Sequence, residues 1–282
     1  MKIAGEFNKP INLHKQTLNV ISFQLTNHVN HFTEALINYS NSKAKNYDGS
    51  VRLITNDYST ITPSKLNIIM VPCGELNIFQ SKVFKDALLS KFEQQVYNDL
   101  NINMLYNDVE SSIEKLLISL EITHDNYQVD FQNFNIVLKK LLGMFKPDFH
   151  NNLEDLCALE QRQLFIDTLV SNEKENIIIL LFPECHLGLQ DMKLFANQIR
   201  KLNMYTIIVT NHPYFIVESD NLSLIKSNGE AVDLNQIHEE LYLFKGDEDI
   251  ENIDTTVKMI AYHEFSQHPY LDDDFFLKFV NK

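Results

Sequence analysis

Tryptophan is absent from the chain and cysteine nearly so: Cys73, Cys157 and Cys185 are an odd number at wide spacing, which excludes a disulfide framework as the basis of the fold. Of the seven glycines, none is followed by Lys and then Ser or Thr, and none forms a Gly-x-Gly-x-x-Gly or Gly-x-Ser-x-Gly pattern. A phosphate cradle of the usual kind, a dinucleotide fingerprint and a nucleophile elbow are thereby excluded. No uninterrupted apolar run approaches the roughly 20 residues that cross a bilayer, and the opening Met1 to Phe7 lacks an apolar signal core. The expectation is a reduced, cytoplasmic protein with no membrane partner. Arginine is confined to Arg52, Arg162 and Arg200, and 24 basic side chains face 38 acidic ones, a net charge of −14. That balance argues against a nonspecific nucleic-acid coat.

What is present is ordinary globular material. Apolar residues make up 44% and charged residues 22% of 282, enough for one large domain or two modest ones with a real core. The charge is unevenly placed. The segment 247–282 is strongly acidic, with Asp272, Asp273 and Asp274 in a row, whereas basic residues slightly outnumber acids over 1–75. A polyanion can therefore be gripped locally despite the overall sign.

Alternation over Lys2 to Phe7 and Ile11 to His14, around Asn8-Lys9-Pro10, predicts a hairpin. Thr17 to Leu25 reads as a strand running into an amphipathic helix over Val29 to Tyr39, and Val51 to Thr55 and Leu66 to Val71 read as further strands. The near-continuous apolar runs at Leu66 to Val71 and Ile177 to Phe182 suit a parallel sheet covered on both faces. Between them, from Asn77 to about Val170, three- and four-residue apolar spacing predicts four or five mutually packed helices. After Ile177 to Phe182 come a helix over Leu189 to Leu202, a strand over Tyr205 to Thr210, and a late β segment over Glu240 to Lys245. The predicted architecture is an α/β head, a degenerate P-loop-NTPase-like (RecA-like) parallel sheet, with an inserted α-helical domain. Its parts are 1–75, the helical insertion 76–172, the second head segment 173–246, and an acidic C-terminal extension 247–282 whose Phe265, Phe275, Phe276 and Phe279 argue for docking.

In a nucleotide triphosphatase of this layout the first strand would lead into the cradle, but the turn reads Leu25-Thr26-Asn27-His28-Val29-Asn30-His31-Phe32, without glycine or lysine. The acid expected at the end of the central strand reduces to Glu184 after Pro183, read as a strand-end loop residue. His28 and His31 have helical metal spacing but no second pair of ligands, and are read as surface histidines. Cys185-His186 lacks a visible oxyanion arrangement, and His212-Pro213 reads as loop chemistry. No catalytic residue is assigned.

Two features suggest binding. Glu121, Asp125, Asn126 and Asp130 offer hard oxygens close together between two insertion helices, a donor set suited to calcium, although without the EF-hand spacing. Lys139, Lys140 and Lys146 lie on or just after a helix whose apolar residues Val137, Leu138, Leu141 and Leu142 take the other side, so the lysines can meet phosphates without reading bases. Lys82, Lys85 and Lys91 form a weaker row, and Lys43, Lys45 and Arg52 another.

In its order of elements, and most densely over Asn135-Ile136-Val137-Leu138-Lys139-Lys140-Leu141-Leu142-Gly143 with the acidic turn before it and a lysine soon after, the chain resembles the Csn-two accessory proteins of type II-A CRISPR adaptation. The likeness covers most of residues 1 to 246. It implies a non-catalytic, ring-shaped homotetramer that binds ends of double-stranded DNA in a positively lined hole. It further implies calcium (Ca2+) held near Glu121, Asp125 and Asp130, and contacts with other adaptation proteins, namely the integrase complex and the effector nuclease. The chain departs from the shorter members in its C-terminal segment and in Thr123 and His124, which interrupt the acidic turn. The rival readings are a nucleotide-binding or nucleotide-hydrolysing P-loop-like ATPase and a protein-only scaffold.

Overall fold

A computed structural model describes residues 1–5, 7–41, 51–63, 66–71, 82–124, 127–130, 136–145, 155–169, 175–245, 250 and 252–266. They fall into two compact units, Met1–Glu75 with Asn172–Lys282, and Leu76–Ser171.

The first unit is α/β with a parallel-sheet core. It opens with β1 (Lys2–Gly5), β2 (Ile11–Asn12), β3 (Asn19–Phe23), α1 (Thr26–Asn41), β4 (Val51–Ile54) and β5 (Leu66–Val71). The chain next supplies the second unit, with α2 (Lys82–Asn98), α3 (Leu100–Ile118), β6 (Glu121–His124), β7 (Tyr127–Asp130), α4 (Leu138–Gly143) and α5 (Ala158–Leu169). It then returns with β8 (Glu175–Leu181), α6 (Leu189–Ile199), β9 (Tyr205–Val209), α7 (Pro213–Glu218), β10 (Asn221–Ile225), α8 (Leu234–Lys245) and α9 (Ile253–Ser266).

Five parallel strands lie in the order β10-β3-β9-β8-β5. Every residue of β3 is buried, as are Ile177 to Leu180 of β8, because a parallel sheet has covered faces and no solvent side on which to put polar residues. A smaller antiparallel sheet, β2-β1-β4, pairs Ile3 with both Ile11 and Leu53. Phe32, Leu36 and Tyr39 of α1 join Ile3 and Leu53 of the small sheet to Ile21, Ile177 and Ile207 of the large one in a single core. The Tyr39 hydroxyl also donates to the Ile61 carbonyl, tying α1 to the turn after β4.

At the amino-terminal edge of the parallel sheet a charged clip closes the fold. One Asp220 carboxylate oxygen accepts from the Leu18 N–H at 2.7 Å and from Arg200 Nε at 2.9 Å. Buried Asn19 accepts from the His14 N–H at 3.0 Å and donates to the carbonyls of His14 and Thr206 at 2.8 and 3.0 Å, so neither end of its amide is stranded there. From α9, Lys258 donates to the Ser219 carbonyl and, at 3.4 Å, to that of Val217, covering carbonyls that the end of α7 leaves without helical partners. Burial holds the Lys258 ammonium below the usual lysine range, against the opposing pull of Asp254, Asp220 and Glu218.

Two expectations are corrected. Glu240 to Lys245 is not a strand but the end of α8. The apolar run Leu241-Tyr242-Leu243-Phe244 imitates a strand, yet the residues α8 buries are Ile237 and Leu241, one turn apart, and Asp233 starts the helix by accepting from the Asn235 and Gln236 N–H groups. The last strand of the sheet is instead Asn221–Ile225. Residues 121–124 and 127–130 are paired strands, not a helix connection, with Ile122 opposite Val129. In the second unit α3, α4 and α5 each pack on α2. Phe84 of α2 stacks on Phe165 of α5 with centroids 5.7 Å apart. No helix among the described residues is long and apolar enough to cross a membrane.

Candidate functional site

In open α/β sheets, ligands bind outside the carboxyl ends of the strands. Only Gln24 and Leu25 separate β3 from α1, whereas a phosphate cradle occupies about eight residues at that junction. The junction is also filled. Gln24 Oε1 accepts from the Ser227 N–H at 2.8 Å, and its amide nitrogen donates to the Phe265 carbonyl at 3.1 Å. Phe265 is itself buried.

Beyond β8 the chain turns sharply, with Phe182 at φ 46° and His186 at φ 61°, left-handed values that cost a bulky residue strain. The turn brings Glu184 under the next strand, where Oε1 accepts from the Thr210 hydroxyl at 2.8 Å. Glu184 Oε2 is buried with no hydrogen-bond partner among the described residues. Ser22 donates to Asn211 Oδ1, and the Asn211 amide donates to the Phe23 carbonyl at 3.2 Å. His212 Nδ1 accepts from the Tyr214 N–H at 3.2 Å and so caps α7. These groups are spent largely on holding one another. Cys185 is half-buried and His186 exposed, and no cluster of three or more metal-binding side chains occurs among the described residues.

A cleft of about 250 Å³ opens beside this edge. Its floor is aromatic. Phe7 follows β1, Phe23 ends β3 and Phe32 lies on α1, with centroids 5.2 to 6.4 Å apart. His28 and His31, read from sequence as surface residues, stand on its wall with Ser227, Asn228 and Gly229. Gly229 takes φ 81° in the turn after β10, a conformation open to glycine at little steric cost. Helical spacing pairs the histidines in sequence, but nothing in sequence places Phe7 beside them.

Of the lysines singled out, Lys139 and Lys140 both lie on α4. Lys139 is half-buried and its ammonium donates to Ser90 Oγ of α2 at 2.8 Å, while Lys140 is exposed. Lys146 lies outside the described residues, as do Lys43 and Lys45. Lys91 donates to the Asp167 carbonyl, and Lys85 and Arg52 are exposed. Register places Glu121 directly opposite Asp130 at one end of the β6-β7 hairpin, with His124 opposite Tyr127 at the other. About 10 Å of strand separates the two ends. Asp125 and Asn126 lie outside the described residues.

A second feature is not legible in the sequence. α3 buries no residue fully. Ile102, Tyr106, Ile113 and Leu117 are half-buried, yet Leu105, Val109 and Leu116 are 65%, 45% and 57% exposed. With Ser112, those three form a stripe at spacings of four, three and four along an apolar groove, the pattern of a helix face that meets another helix.

No family model matches the chain, and no curated protein matches it. Among solved structures it is similar to the "Crystal structure of Stu0660 of Streptococcus thermophilus", with a TM-score of 0.62, 12% identity and 100% of each chain covered. At that identity the likeness is one of fold, over the full length of both chains.

Proposed function

We propose that this chain is a longer Csn-two-type protein: a non-catalytic homotetrameric ring that holds ends of double-stranded DNA without sequence preference and supports spacer acquisition. The observation that carries the reading is α3, whose second apolar stripe faces solvent in a single chain and is accounted for by a second copy. The full-length fold likeness agrees with it, as does the order of elements in the sequence. The rival nucleotide hydrolase would need phosphate contacts that the two-residue turn occupied by Gln24 does not offer. Of the two described lysines in the proposed phosphate-contacting set, Lys140 is exposed, and Lys139 reaches DNA by leaving Ser90. The integrase complex and effector nuclease are the proposed protein partners.

A ring can be threaded by a DNA end but not by a closed circle. Gel shifts should therefore show binding to linear duplex and little to relaxed circular DNA of the same sequence. Affinity should fall steeply with salt as counterions are released. Replacing Lys139, Lys140 and Lys146 with alanine should weaken all sequences equally and lower the salt slope by about one unit per lost phosphate contact. Equal binding to both topologies would remove threading, and binding to neither would remove the function.

Calcium belongs to this reading. Glu121 and Asp130 are carboxylate residues opposed in register and of the hard-oxygen type that calcium prefers, so they fit the ion. Those two are the residues proposed to hold it. A ligand bound only by the folded state stabilises it by the logarithm of its concentration over its Kd. Moving from chelator to millimolar calcium should raise the melting temperature, magnesium should do so much less, and Glu121→Gln with Asp130→Asn should abolish the rise. An identical melting curve with chelator and with calcium would count against the site.

A further inference from the structure

The reading of the chain as a ring does not use the aromatic cleft, and the chemistry of that cleft points to a ligand. Its floor presents the half-buried ring of Phe7, backed by Phe23 and Phe32, each 2% exposed, and an aromatic ring favours planar π systems through stacked or edge-on contact. The polar groups on its wall are chiefly donors or groups able to donate. Two imidazoles and the Ser227 hydroxyl stand there. The Asn228 carbonyl oxygen is engaged by the Glu230 N–H at 3.0 Å, so what that side chain offers a ligand is its amide NH2. No carboxylate is among the described lining residues. A flat ring below and donors without acids above suit a ring system that carries an anionic group. The volume of about 250 Å³ lies just under the roughly 300–1,000 Å³ range of drug-sized sites, which limits the occupant to about one nucleotide unit.

We propose that this cleft binds a single nucleotide unit, with the base against Phe7 and the phosphate at His28 and His31. The unit has two sources with the same chemistry, a free mononucleotide or the unpaired terminal nucleotide of a DNA strand. The site is separate from the β3-α1 turn where a phosphate cradle would stand, and it does not depend on the ring.

Calorimetry with deoxyadenosine monophosphate tests the proposal on the full chain. Binding is expected, at least about tenfold weaker for deoxyribose 5-phosphate, which lacks the base. His28→Ala with His31→Ala should weaken the nucleotide at least tenfold with the melting curve unchanged. Should that pair lower the melting temperature, His31→Asn alone, at an exposed position, is expected to weaken binding while the fold holds. Absence of binding at millimolar nucleotide would overturn the proposal, as would unaltered affinity in the folded histidine variants. Displacement of the nucleotide by a duplex with a one-nucleotide overhang, and not by a blunt one, assigns the source to a DNA terminus. Displacement by neither assigns it to the free nucleotide. Nucleotide binding without any duplex gel shift would overturn the DNA-end reading and leave the cleft, whereas a duplex shift without nucleotide binding would do the reverse.

Discussion

Leu105→Glu, Val109→Glu and Leu116→Glu together should convert the assembled protein to a species of smaller mass while leaving each chain folded. The three positions lie on the outward stripe of α3 and are already 45% to 65% exposed, so a charge there costs the single chain little. In an interface the same charges are desolvated and like-signed across a two-fold axis. Loss of apolar burial alone is worth about 1.5–3 kcal/mol per side chain. Three such losses exceed the roughly 4 kcal/mol that separates a thousandfold change in Kd. Sedimentation velocity on both proteins reads the result directly. A wild-type chain that sediments as a monomer, or a variant of unchanged mass, would remove α3 as the assembly face.

Asp220→Ala should be among the most destabilising changes at a polar position of the first unit. The substitution strands the Leu18 N–H and takes from Arg200 Nε its partner, the two sharing one carboxylate oxygen, while Arg200 keeps its bond to the Glu218 carbonyl; it also removes a negative charge near Lys258. Hydrogen bonds to charged groups are worth about 1.5–3 kcal/mol each. Their exposure discounts the sum to roughly 2–4 kcal/mol, a large part of a typical stability of about 5–15 kcal/mol. Burial works to raise the Asp220 pKa, but the Arg200 hydrogen bond, the Leu18 N–H and the charges of Arg200 and Lys258 outweigh it and hold the carboxyl below its ordinary 3.8. A carboxylate whose folded value is depressed contributes stability that is complete above the unfolded value and is lost as pH falls through the folded one. Urea unfolding at fixed protein concentration should therefore show the full difference between wild type and variant at pH 7, shrinking below about pH 4. An equal difference at pH 7 and pH 3 would mean that the clip is not electrostatic.

The strands β8, β5 and β3 are legible in the order of residues alone, because strands covered on both faces must be apolar nearly throughout, as in Ile177-Ile178-Ile179-Leu180. The helix α6 is legible as well, since its buried Met192, Phe195, Ala196 and Ile199 recur at three- and four-residue spacing. The strand β10 is not. Asn221-Leu222-Ser223-Leu224-Ile225 is short, and the apolar run Leu241-Tyr242-Leu243-Phe244 in α8 looks at least as β-like, so the choice between strand and helix is made by the neighbours each residue finds in three dimensions.

The candidate sites divide in the same way. The missing cradle, the lysines of α4 and the acids of the hairpin are local in sequence and can be read there, because each depends on residue types at short spacing. That Glu121 faces Asp130 depends on strand register. That Lys139 is engaged by Ser90 depends on how α4 packs on α2. The aromatic cleft joins Phe7, Phe23, His28 and Gly229 across more than two hundred residues of chain. Short-range pattern thus determined the α/β class, the buried strands of its sheet and the absence of a phosphate loop. Tertiary structure alone decided which face of α3 was left uncovered and which distant side chains line the cleft, because those depend on contacts between segments that sequence order does not bring together.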